Sequence, residues 1–227
     1  MGLFSSAPKI TRNLVIINTV VFVLTFLSSD IMHNDVMYEK LALFYPKSPF
    51  FEFWQPLSYM FMHGGLWHLF LNMFTLLMFG SVIERYIGER KFIFLYFACG
   101  IFAAAAQMGV QAIEAASLSE GLALNSTAAV NSMQRLLATP TVGASGAIYG
   151  LLIAYVMMFP DSMMMLLFPP SPLKAKWMVL IFVIMELATG LTGTMGGVAH
   201  FAHLGGMLMG WLLVLYWRKR GTLFDRQ

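Results

Sequence analysis

Charge is what this sequence has least of. Asp, Glu, Lys and Arg make up 11% of its 227 residues, against about 25% in an ordinary soluble domain. With 59% of residues hydrophobic, a conventional solvated globule is excluded and a chain that lives in lipid is indicated. Cysteine is nearly absent too. The single one, Cys99, falls within an apolar run, so no intrachain disulfide can form and the redox compartment stays open. The formal charge of +3 is small. Its basic residues stand in short groups beside apolar segments, as membrane flanks do, which excludes nucleic acid as a partner. The zinc-protease pattern H-E-x-x-H does not occur, and there is no internal repeat or long low-complexity tract. The opening "MGLFSS" fits an N-myristoylation pattern through Gly2 and Ser6. Chance explains that match better, since one acyl chain adds little to a polytopic protein. No small-residue cleavage site clearly follows the Leu14 to Ser28 run, so a removed signal peptide fits poorly.

What is present is a series of apolar runs. Six spans are expected, at about 14–28, 66–83, 92–113, 145–159, 177–191 and 197–217, several of them shorter than the roughly 20 residues a full span wants. They recur along the whole chain, so residues 1–227 are expected to form one all-α membrane domain. The flanks set its orientation through the excess of Lys and Arg on cytoplasmic loops. One set holds Lys9, Arg12, Arg85, Arg90, Lys91, Lys174, Lys176, Arg218, Lys219, Arg220 and Arg226, which is 11 of the 14; the other holds only Lys40, Lys47 and Arg135. Both termini are therefore expected to be cytoplasmic.

Two outer connections are long, Ser29 to Gly65 and Glu114 to Ala144, and the last, near "TGLTGTMGG", is short and glycine-rich. The first contains "FFEFWQPLSYMFMH", whose aromatic residues suit either a segment lying in the membrane interface or an ordinary aromatic belt. The second, with "SLSEGLALNSTAAVNS", reads as small, polar and mobile.

Polar side chains inside spans are costly, face the bundle interior and mark sites. At a rise of about 1.5 Å per residue, Ser145 and His203 each lie about 21 Å above the cytoplasmic ends of their spans; Asn72 lies about 18 Å and His68 about 24 Å up. Four polar groups thus share one layer. His68 and Asn72, four apart, point from one helix face. Ser145 is expected to begin its helix, where free N–H groups and the dipole favour a developing negative charge. Gly146 with Gly150, and Gly206 with Gly210, allow two helices to approach closely, so Ser145 and His203 can meet and a histidine can take the serine proton. Alone, "GASGAIYG" favours packing over catalysis, and His68 with Asn72 favours interhelical bonding; their shared depth favours a site. His63 and His200 read as hydrogen-bonded structural residues rather than catalytic ones. Glu186, in "IFVIMELATG", is an isolated acid that must be neutral or paired, with no partner evident from spacing.

These motifs resemble those of the rhomboid intramembrane serine proteases, over most of the chain from Trp54 to Gly210. The resemblance is carried by "HGGLWHLFLNMFTLLMFG", "ERYIGERKFIFLYF", "GASGAIYG" and "AHFAHLGGMLMG". It implies a six-helix rhomboid-like bundle in which Ser145 is the nucleophile and His203 the general base, a dyad with no acidic third member. It assigns His68, Asn72 and the Ser145 amide to an oxyanion hole, matches Tyr149 to an aromatic residue packed on the catalytic histidine, and matches Gly143 to the glycine ahead of the serine. It implies no metal or organic cofactor, transmembrane proteins as substrates, a preference for small residues at the cut, and a multi-pass protein of a bacterial plasma membrane. Oligomeric state is left open. One departure stands out: many relatives carry Trp-Arg before the second span, where this chain has Trp54, Gln55 and Pro56, so the first loop is expected to be held differently. Rival readings are a metal site on His68, His200 and His203, with or without Glu186, and a non-catalytic membrane chaperone or trafficking factor on the same scaffold. A transporter fits less well, because no broken helices recur in repeated halves.

Overall fold

A computed structural model describes residues 4–167, 170–192 and 199–223. Helix α1 (Lys9–Phe26) runs on through a π-helical turn at Leu27–Ile31. The first long connection carries α2 (Val36–Leu41), α3 (Gln55–Ser58) and a 3₁₀ turn at Tyr59–Phe61. Next come α4 (Leu66–Thr75), a π-helical stretch at Leu76–Gly80, and α5 (Ser81–Ile87), which together form one rod. Gly88, at φ 82°, breaks that rod and lets α6 (Glu89–Ser117) begin at once. Helices α7 (Ser119–Ala123) and α8 (Thr127–Ala138) precede α9 (Ser145–Met158). An antiparallel hairpin, β1 (Met163–Leu167) with β2 (Pro170–Lys174), then leads to α10 (Ala175–Thr192) and α11 (His200–Lys219).

Helices lie along the stretches where spans were expected, and the first two residues of the last stretch, 197–198, are outside the described ones. Lys9–Ile31, Leu66–Ile87, Glu89–Ser117 and Ala175–Thr192 are long and apolar enough to cross a membrane, and Ser145–Met158 is a shorter apolar helix. Two expectations need correction. The all-α description omits the hairpin, which sits where Pro160, Pro170 and Pro172 deny a helix its backbone donors. The segment 114–140, expected to be a polar loop, is largely helical: α6 continues to Ser117 and α8 buries Ala129 and Leu136. Its small and aliphatic residues are compatible with short amphipathic helices that carry no long apolar run. The glycine-rich "TGLTGTMGG" connection extends into residues 193–198, outside the described ones.

Burial sorts the helices. On α9, Gly146, Ala147, Ile148, Gly150, Leu151, Leu152 and Ala154 are all buried, so it is the central element, packed chiefly by α11 and α6. By contrast α1 and α10 expose Ile16, Val20, Leu24, Leu180, Ile184 and Leu187, apolar faces suited to lipid. The helices α9 and α11 touch backbone to backbone. A Cβ on Gly206 would fall on the Gly146 carbonyl, and one on Gly210 on the Gly150 carbonyl. The sequence marked these four glycines, but not that Ala103 and Cys99 of α6 also press on Gly146 and Gly150.

Candidate active site

Helix α9 has only 14 residues, about 21 Å at 1.5 Å per residue, in a hydrocarbon layer about 30 Å thick. It is too short to reach both surfaces, so its ends cannot both lie at a surface, and the residue that starts it is the one of interest. That residue is Ser145, with Ala144 as its N-cap. The strand of chain leading in is fixed from two sides. Thr141 exchanges backbone bonds with Leu43 of the first loop (2.8 and 2.9 Å), and the Gly143 amide donates to the Tyr59 carbonyl at 3.0 Å. Gly143 has φ 132°, a conformation that other residues rarely adopt. A side chain there would also press on His68, 2.9 Å from Cε1 and Nε2.

Close glycine packing brings α11 within reach of this point. The Ser145 Oγ and His203 Nε2 are 2.8 Å apart, inside the range required of a nucleophile and its base. The Tyr149 ring, one turn along α9, stacks on the His203 imidazole, with centroids 4.3 Å apart and planes 9° apart. Ser145 is half-buried and His203 buried. His68 lies across Gly143 from the serine, and its Nδ1 accepts the Gly64 amide at 3.3 Å. Gly64 itself is exposed, so the His68 side of the site opens outward.

The other sequence candidates fall differently. Asn72 is buried, and its side-chain amide donates to the His68 carbonyl of its own helix at 3.0 Å. One of its N–H groups is thereby engaged, and the other is the donor that an oxyanion role would use. His63 is buried and meets the His68 ring edge-on, with centroids 5.1 Å apart. Burial pushes the His63 imidazole down to about 3.

A Rhomboid domain profile matches residues 51–220. The chain belongs to the Rhomboid family. It is 29% identical over 159 residues to Rhomboid protein 1, mitochondrial, of Saccharomyces cerevisiae, covering 70% of this chain and 40% of that protein. Against RHOMBOID-like protein 4 of Arabidopsis thaliana the identity is 32% over 162 residues, 71% of this chain and 33% of the relative. Against Rhomboid-type serine protease 2 of Emericella nidulans it is 27% over 157 residues, 69% and 25%. The chain thus spans less than half the length of each of these relatives. It is a multi-pass integral membrane protein of the Rhomboid family.

Within this Rhomboid domain, sequence reasoning missed where Glu186 points. Its Oε1 lies 2.9 Å from His203 Nδ1 and its Oε2 2.7 Å from His200 Nδ1. The Thr189 hydroxyl is 3.0 Å from the same His200 nitrogen. The unassigned acid therefore has two histidine partners, and the expected absence of an acidic group beside His203 is not what the geometry has. The available signal was physical: a lone carboxylate in an apolar helix has to be paired, and His200 and His203, three apart, share one face of α11. For the rival metal reading, these contacts commit both α11 histidines to the carboxylate through Nδ1. Among the described residues no group of three or more His, Cys, Asp or Glu side chains is disposed to hold a metal ion.

The first loop is held by the residue at which the sequence departs from many relatives. Gln55 is fully buried. It accepts the Phe44 amide (3.2 Å) and donates to the Glu39 and Phe50 carbonyls (3.0 and 2.8 Å). Trp54 adds a bond from its indole to the Lys40 carbonyl, while Phe53 is exposed. The loop is thus anchored from within by Gln55 while the Phe53 ring faces outward.

Proposed function

We propose that this protein is an intramembrane serine endopeptidase, with Ser145 as nucleophile and His203 as general base. The observation that carries the reading is the 2.8 Å Ser145 Oγ to His203 Nε2 separation at the N-terminus of a short, buried helix. As Oγ attacks the scissile carbonyl carbon, its proton passes to Nε2; the tetrahedral oxyanion collapses, and the same proton goes to the departing amine. Water then repeats the sequence on the acyl-enzyme. The developing oxyanion is met by the Ser145 amide at the positive end of α9, with His68 and Asn72 as side-chain donors.

The domain spans residues 1–227 and crosses the bilayer six times, with both termini in the cytoplasm and the site opening to the outer face; a bacterial plasma membrane fits that arrangement. The distribution of Lys and Arg supports this orientation. Substrates are transmembrane proteins. A helical amide is already hydrogen-bonded, so the substrate must unwind near its outer end to present its carbonyl. The reaction as written draws on side chains and water, with no metal or organic cofactor in it.

The test is cleavage of transmembrane-segment reporters by purified protein in lipid, comparing the parent with Ser145→Ala and His203→Ala, with and without chelator. Cleavage by the parent, lost in both variants and indifferent to chelator, is expected. Equal cleavage by Ser145→Ala would overturn the assignment, and loss on chelation would revive the metal reading.

A further inference from the structure

The Glu186 carboxylate is buried in the bundle at 7% exposure, with both oxygens directed at imidazoles of α11. An ionised carboxylate only accepts hydrogen bonds, so each Nδ1 facing it must carry a proton. For His203 this leaves Nε2, the nitrogen 2.8 Å from Ser145 Oγ, as the acceptor of the serine proton. The tautomer needed for general-base action is thereby fixed from behind. His200 and Thr189 hold the other side of the arrangement, and the Tyr149 hydroxyl approaches the same carboxylate. Two imidazole N–H groups offset the cost of burying the charge far better than one would.

We infer that Glu186 is a positioning residue, holding His203 as the Nδ1–H tautomer and stabilising its imidazolium while the serine proton resides on Nε2. This rests on the protease reading above and makes the pair a three-membered Ser145–His203–Glu186 arrangement. No extra proton moves. The Nδ1 proton stays on His203 throughout, and only the serine proton is transferred, first to Nε2 and then to the leaving amine. Besides Glu186, the ionisable groups around His203 are His200 on the same helix, Tyr149 on α9 and His68 on α4. Among the described residues Glu186 is the one carboxylate in contact with His203.

Glu186→Gln keeps the shape but replaces one acceptor oxygen with a donor NH₂, which can force the proton onto Nε2. Reporter cleavage and fluorophosphonate labelling of Ser145 are expected to fall by about 100-fold. Without the carboxylate the imidazolium is less favoured, so the acid limb of the pH–rate profile is expected to move to lower pH. Glu186→Asp is expected to recover part of the rate. A readout independent of activity is the ¹⁵N spectrum of histidine-labelled parent protein, with His203 assigned by its loss in His203→Gln; an Nδ1–H imidazole is expected. Parent-like rate and acid limb in Glu186→Gln, with Ser145→Ala inactive, would overturn the inference and leave the protease reading intact. A parent His203 protonated at Nε2 would overturn it even if the Glu186 variants fail to fold. Cleavage by Ser145→Ala would overturn the protease reading itself, whatever the tautomer.

Discussion

Among the described residues two carboxylates are buried, and their partners differ in kind. Glu84, 3% exposed, accepts the backbone amides of Ile10 (2.9 Å) and Thr11 (2.7 Å) and the Thr11 hydroxyl (2.7 Å). It closes the start of α1, satisfying amides that a helix N-terminus leaves free. None of those donors is an imidazole. Glu186 faces two imidazoles, and one of them, His203, also meets the Ser145 hydroxyl. The same side chain thus joins two rods at one place and, at another, faces the histidine proposed as general base. Burial alone does not separate structural acids from functional ones; the chemistry of the donors does.

The comparison can be broken or sharpened by substitution. The largest effect expected is on rate, in Glu186→Gln, with thermal stability in detergent close to the parent. Glu84→Ala is its converse: three donors lose a charged acceptor, a cost of about 3 kcal/mol readable by denaturant titration, while the folded fraction cleaves at the parent rate. A large rate loss in folded Glu84→Ala would erase the distinction. Between the two lies a buried neutral group. Gln55→Ala removes three bonds from the first loop and is expected to cost about 2 kcal/mol, with a smaller effect on rate because that loop is tied to the approach to Ser145.

The smallest effect belongs to an exposed acid. Lys176 and Lys174, at 2.8 and 3.1 Å, hold the Asp161 carboxyl below the usual range. A lowered value means that its contribution is present at neutral pH and is lost as pH falls through the folded-state value. Asp161→Asn is therefore expected to lower the melting temperature only slightly at pH 7, solvent screening such pairs strongly, and to approach the parent once pH has fallen below the folded-state value. A large shift at pH 7 would show that exposed pairs matter here as much as buried ones.

Much of the candidate site's geometry was legible in the sequence because position along a span is a one-dimensional quantity. Counting residues from span ends placed Ser145, His203, His68 and Asn72 in one layer, and the small residues of α9 and α11 indicated which helices touch. Rotation about each helix is not read so easily. Glu186 lay within an almost uniformly apolar run, so periodicity gave no face, and which neighbour it met depended on how α10 sits against α11. The helices α7 and α8 were missed for a related reason: short polar amphipathic segments resemble loops once hydropathy has been used to find spans. Gln55 read as a departure, although its three bonds make it a clasp.

The most direct test of the central claim is a fluorophosphonate probe applied to the parent, Ser145→Ala and His203→Ala in lipid, with the adduct located by peptide mass spectrometry. A single adduct on Ser145 in the parent, absent from both variants, is predicted. Reporter cleavage by a parent that carries no adduct at Ser145, or labelling undiminished in His203→Ala, would contradict the account.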